Sequence, residues 1–294
     1  AADDAARAAL APLEGTGAEN GETLNARLVF VDMGDAGVGE MPYAAPALER
    51  LRETARDKPL PWPAIRYPHA HPLRAPAWEA PLTPENAAEA SASPVRRELA
   101  RRLAAGEAAV WLFLGCGDAT RDDAARDVLE TTLASAGERM AAASDVAPFH
   151  QAQAAPDASR CRFSMIEVPR TDAAERVLAD ILIGSEEDLA GYDAPLAFPV
   201  FGRGRVLYAL VGGGIAVDTI IEACLYIGTA CTCMVKAENP GTDLLMRADW
   251  TQIAAALPPE APASAPPSAA PVPDGLGNPA HAVVIAAVCA LALA

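Results

Sequence analysis

Residues 195–212, PLAFPVFGRGRVLYALVG, constrain the fold more than any other part of the chain. Two short runs of branched and aromatic residues, 196–201 and 205–211, are parted by Gly202-Arg203-Gly204. Apolar runs separated by glycines predict an antiparallel hairpin. Pro199 lies in the first run and has no N–H to give a ladder, which places it at a strand start, an edge or a bulge. Arg203 and Arg205 flank the tip. Such charges ordinarily stay exposed and blunt an edge strand; binding a carboxylate is the alternative.

Helical and extended patterns alternate through the rest of the chain. Residues 1–13 read as the end of a helix, 26–33 (ARLVFVDM) as a buried strand and 45–55 as a short helix. Residues 62–67 and 77–82 are strand candidates that their prolines push to sheet edges. Thr83-Pro84 and Ser93-Pro94 each pair an N-cap with a first-turn proline, so a helix should open at each. The clearest buried strand is 108–115, AAVWLFLG, followed by a helix over 120–140. Residues 141–159 have no period and read as an inserted loop. A strand over 162–168 follows, and Asp172 with Glu175 has the form of an acidic capping box opening the next helix. After the hairpin, Gly212-Gly213-Gly214 makes a turn, and a last helix runs over 217–228.

From 108 to 228 the order is strand, helix, strand, helix, strand, strand, helix. This order resembles the thioredoxin fold, in which a proline lies at the start of the third strand, where Pro199 falls. The resemblance implies a cis Phe198–Pro199 peptide bond. Residues 1–104 give the same series without its first strand, which would then precede Ala1. The fold expected is therefore α/β, with two thioredoxin-like domains in tandem and the first truncated. The boundaries are 1–104 for the truncated domain, 105–256 for the complete one with a Cys-x-Cys tail, 257–280 for a Pro/Ala-rich linker and 281–294 for a hydrophobic helix. The hairpin, the Cys-x-Cys segment and NPGTDLLMRADW also resemble an uncharacterised family of bacterial membrane-anchored proteins, a likeness that carries no activity.

A thioredoxin-like oxidoreductase holds Cys-x-x-Cys where its first strand meets its helix, because the helix N-terminus stabilises a thiolate there. Here that junction reads Gly115-Cys116-Gly117-Asp118, with one cysteine only. Cys161 and Cys289 read as packing residues. Cys224, Cys231 and Cys233 lie within ten residues of one another, so in an oxidising compartment two of them should pair as a structural disulfide. A redox-active Cys231/Cys233 pair is the alternative. Cys231, Cys233 and Met234 are also soft ligands suited to Cu(I), a weaker reading without a nearby histidine. His69 and His71 share one face of an extended segment, but two ligands without a third read as a solvated loop. No catalytic triad, phosphate loop or cofactor motif is present.

The 294 residues carry a net charge of −16, which opposes a nucleic-acid or anionic-membrane surface. Arginine outnumbers lysine 21 to 2 and alanine is abundant, so alanine-rich stretches say little beyond tolerance of helix. The Pro/Ala/Ser-rich linker cannot build a core and makes a tether. The uncharged run after it, HAVVIAAVCALALA, reads as part of a transmembrane helix. Together these features predict a redox-inactive, non-enzymatic binding module, needing no cofactor, tethered to a membrane with its soluble part on the periplasmic side. Its partner would be a protein at that membrane.

Overall fold

A computed structural model describes residues 21–32, 53–67, 75–139, 161–229, 242–256 and 283–289. It is mixed α/β, with parallel and antiparallel pairing in its sheets. The strands are β1 (Thr23–Leu24), β2 (Ala26–Asp32), β3 (Trp62–Arg66), β4 (Trp78–Glu79), β5 (Ala109–Leu114), β6 (Phe163–Glu167), β7 (Leu196–Phe201), β8 (Arg205–Val206), β9 (Leu210–Val211), β10 (Arg247–Ala248) and β11 (Val283–Cys289). The helices are α1 (Pro84–Ser91), α2 (Pro94–Ala104), α3 (Ala119–Ala134), α4 (Arg176–Ile183), α5 (Val217–Thr229) and α6 (Trp250–Ala256).

The largest sheet among the described residues has the order β6-β5-β7-β8, with β9 also pairing β7. β5 runs parallel to β6 and antiparallel to β7. Every residue of β5 is buried, because its two faces feed two cores. Trp111 and Phe113 pack with Leu129 and Leu133 of α3 and with Ile220 and Cys224 of α5. Val110, Leu112 and Leu114 face the other way, toward Leu99 of α2 and Leu178 and Ile181 of α4. Successive strand side chains point to opposite faces, so an uninterrupted apolar run is the signature of a strand covered twice.

The hairpin forms as its sequence predicts, with Gly202 at φ 58° and Gly204 at φ 87°. The Phe198–Pro199 bond, however, is trans; the cis bond among the described residues is Leu60–Pro61, just before β3. Pro199 sits inside β7, opposite Trp111. Its carbonyl accepts from Leu207 N–H at 3.0 Å, so its nitrogen faces the same side, at the gap between β8 and β9. A missing N–H is tolerated there because the ladder is already interrupted.

The hairpin is locked from outside. Arg205, 1% exposed, donates to Asp243 through Nε (2.6 Å to Oδ1) and Nη2 (3.2 Å to Oδ2). The expected exposed charge is thus a buried ion pair, and the carboxylate it binds belongs to this chain. Val206 N–H donates to Thr242 O, and Leu244 N–H to Gly204 O, so residues 242–244 extend the hairpin. A Cβ on Gly204 would lie 2.7 Å from Met246 Sδ, which with its positive φ reserves the position for glycine.

Thr83 and Ser93 cap α1 and α2 as their spacing with proline predicts, accepting from the N–H groups of Asn86 and Arg96. The buried Arg96 guanidinium donates to the carbonyls of Ala90, Leu245 and Glu89, tying α1 to residues 244–246. Burial pushes it down to about 10, with Glu175 acting the other way. Glu175 does not close a capping box on Asp172. Its Oε1 instead accepts from Val95 N–H at 2.8 Å, placing a carboxylate at the start of α2.

A second sheet has the order β2-β11-β3-β4. β3 is therefore interior rather than an edge, while β4 is an edge as expected. The C-terminal run expected as a helix is a strand over Val283–Cys289, parallel to β2 and antiparallel to β3. Valine and isoleucine favour extended backbone over helix, which fits this outcome. No helix among the described residues is long and apolar enough to cross a membrane. The two sheets share one core: Ile65, Tyr67 and Trp78 pack in the same cluster as Leu99 and Leu112. Tyr67 donates its hydroxyl to Ile181 O of α4 at 2.7 Å, and its burial raises the phenol well above its usual range, with Asp180 adding to the effect.

Truncating one side of the Arg205–Asp243 pair strands a charge in the core. Arg205→Ala should cost about 3–5 kcal/mol in urea unfolding, and Arg205→Met/Asp243→Leu should recover most of it. A double variant as unstable as the single one would contradict the ion-pair account.

Candidate functional site

The junction between β5 and α3 is where a dithiol would have to sit for thioredoxin chemistry. Residues 115–118 turn tightly, with Gly117 at φ 91°, and Asp118 caps α3 by accepting from Arg121 N–H at 3.1 Å. One turn into the helix, Asp122 sends its carboxylate back under the loop. Its Oδ1 accepts from Cys116 N–H at 2.8 Å and its Oδ2 from Gly117 N–H at 2.9 Å. The fit is close: a Cβ on Gly115 would stand 2.6 Å from Asp122 Oδ2 and 3.0 Å from Cγ. The loop is built around a carboxylate.

Burial alone would raise the Asp122 carboxyl, but the Cys116 and Gly117 N–H groups, the Cys116 side chain and Arg126 together hold it below the usual carboxylate value. Around the loop the charges are paired. Arg121 bridges Asp118 at 3.0 Å and Asp193 at 3.2 Å, joining α3 to the segment that enters β7. Arg126 bridges Asp123 and Glu167 and lies over the Phe113 ring at 5.4 Å. These charges form two separate sets of ion pairs, one on Arg121 and one on Arg126, near the C-terminal ends of β5 and β6.

Cys161 and Cys224 belong to one core cluster, packed with Trp111. Cys116 is a partly exposed free thiol, Cys161 is partly exposed, and Cys224 is a fully buried free thiol. Burial pushes the Cys224 thiol up to about 12; the Trp111 indole N–H acts the other way without offsetting it, and Cys161 adds to the rise. A thiol in that state is packing material rather than a nucleophile. Cys231, Cys233 and Met234, with His69 and His71, lie outside the described residues, as does the expected loop over 141–159. No group of three or more His, Cys, Asp or Glu side chains among the described residues is placed to hold a metal ion.

One open groove of about 490 Å³ lies between α2, β10 and α6. Arg97, Arg101 and Arg247 line it together with Glu22 and Asp249, and neither a cysteine nor a histidine does. Compared with family models, curated proteins and solved structures, the chain matches none. The part sequence reasoning missed is Asp122. Its signal was present as a carboxylate one helical turn inside a Gly-x-Gly-Asp cap, a position from which a side chain can reach back to loop N–H groups.

A carboxyl held below its usual value stabilises the fold above about pH 4 and loses that contribution as pH falls through its lower folded-state value. Asp122→Asn should therefore cost roughly 1–3 kcal/mol at neutral pH and flatten the acid loss of stability between about pH 5 and pH 2. Identical acid profiles for the two chains, followed by urea midpoints, would contradict this role.

Proposed function

We propose that the chain is a non-catalytic binding module of thioredoxin-like type that acts by holding a protein partner. The strand order β6-β5-β7-β8, with α3 and α5 on one face and α4 on the other, supports the thioredoxin-like reading. The trans bond at Phe198–Pro199 removes one mark of that likeness. The absence of redox activity rests on a single observation: the Asp122 carboxylate occupies the Cys116 and Gly117 N–H groups. In a working oxidoreductase, N–H groups at this helix start stabilise the attacking thiolate. Here an internal anion already uses them, and the second thiol is missing from the motif.

The acidic net charge and the paired arginines at the β5–α3 junction weigh against a nucleic-acid partner. Binding would instead use the polar rim where β5 and β6 end and β7 begins, the side on which open α/β sheets carry their sites.

Insulin-disulfide reduction with dithiothreitol as electron donor tests the catalytic question. The rate should match the protein-free background, and Cys116→Ser should leave it unchanged. Turnover that disappears in Cys231→Ser/Cys233→Ser would overturn the proposal in favour of an oxidoreductase working through that pair. Cu(I) binding lost in the same variant would favour metal handling.

A further inference from the structure

The two main sheets repeat one plan. In each, the second strand along the sheet runs parallel to the first and antiparallel to the third, and the third runs antiparallel to the fourth. In the β6-β5-β7-β8 sheet the second position is filled by β5, which the chain reaches just before α3 and β6. In the β2-β11-β3-β4 sheet it is filled by residues 283–289, which the chain reaches only after every other element. We infer that the space between β2 and β3 is a strand-acceptor site, and that the chain's own segment Val283–Cys289 docks there as a separable donor strand.

Backbone pairing states what the site recognises. Among the described residues β2 has no sheet neighbour other than β11, and β3 without β11 would pair only with the two-residue β4. An isolated strand beside a short hairpin is marginal in water, so the acceptor needs an occupant to persist. The donor must supply seven extended residues able to pair along both edges, parallel on one side and antiparallel on the other. VVIAAVC meets that requirement: it has no proline, no glycine and no charge, and four of its seven residues are valine or isoleucine. The 26 residues from 257 to 282 separate the donor from α6. Fully extended they span about 85–95 Å, so the connection permits both docking and release. The same uncharged sequence suits a lipid environment, but a segment paired between β2 and β3 is not in a bilayer. The two placements exclude each other.

The register supplies the test. Pro63 and Ile65 turn their carbonyls to the β4 side, accepting from Ala80 and Ala77 N–H, so Ile65 and Ile285 form a non-hydrogen-bonded pair across β3 and β11. Such pairs bring Cα atoms to about 4.5 Å, within disulfide range. In the full chain, Ile65→Cys/Ile285→Cys should give an intrachain 65–285 disulfide on mild oxidation, found by peptide mapping. Ile65→Cys/Ala286→Cys, one residue out of register, should give at least fivefold less. A covalent dimer through the same pair would overturn the inference in favour of exchange between two copies. No 65–285 product, or its loss when phosphatidylcholine vesicles are added during oxidation, would overturn it in favour of another placement.

If the paired cysteines prevent folding, tryptic cleavage reads the same question. Deleting residues 283–294 should speed cleavage after Arg66 at least tenfold while sites in α3 remain protected. A synthetic VVIAAVC peptide should restore the slow rate. Unchanged cleavage on deletion, or no rescue by the peptide, would overturn the inference.

Discussion

A strand apolar on both faces cannot lie at a surface, and that constraint on β5 organises the rest of the chain. Covering one face draws in α3 and α5; covering the other draws in α2 and α4. Satisfying its backbone requires a neighbour along each edge, supplied by β6 and β7. Once β7 is fixed, the hairpin returns at Gly202–Gly204, and Arg205 is carried into the interior. Asp243 neutralises it there, which brings residues 242–246 against the hairpin. The buried charge therefore follows from the topology. Its function is to hold a distant segment in register.

The same economy operates at the β5–α3 junction. A helix start leaves N–H groups without partners, and any fold must satisfy them. Asp118 takes one from inside the helix and Asp122 takes two from the loop before it. A helix start that has used its donors internally has little left for a bound anion or a reacting sulfur. Under the thioredoxin-like reading proposed above, this is where the chain departs from thioredoxin chemistry, since function lives in the site rather than the fold.

Much of the fold was legible where a residue's role is local. AVWLFL announced a doubly covered strand, Thr83-Pro84 and Ser93-Pro94 announced helix starts, and the spaced glycines announced the hairpin. What could not be read was pairing across long separations. Arg205 looks like a tip charge until Asp243, 38 residues on, is known to face it. Glu175 resembles half of a capping box, yet its partner is Val95, 80 residues earlier. The segment 283–289 reads as a lipid-facing helix in isolation, and the strands it pairs with, β2 and β3, lie far away in the sequence. Pro199 signalled a missing ladder N–H, yet it lies inside β7 rather than at a strand start or edge, facing the gap between β8 and β9.

Residue-resolved amide hydrogen exchange at neutral pH tests the central claim most directly, that β5 is the interior strand and that the loop after it is closed on Asp122. The account predicts the slowest exchange at Val110–Leu114, with the Cys116 and Gly117 amides protected far beyond neighbouring loop positions. Exchange at 110–114 as fast as in the flanking loops, or unprotected amides at 116 and 117, would contradict it.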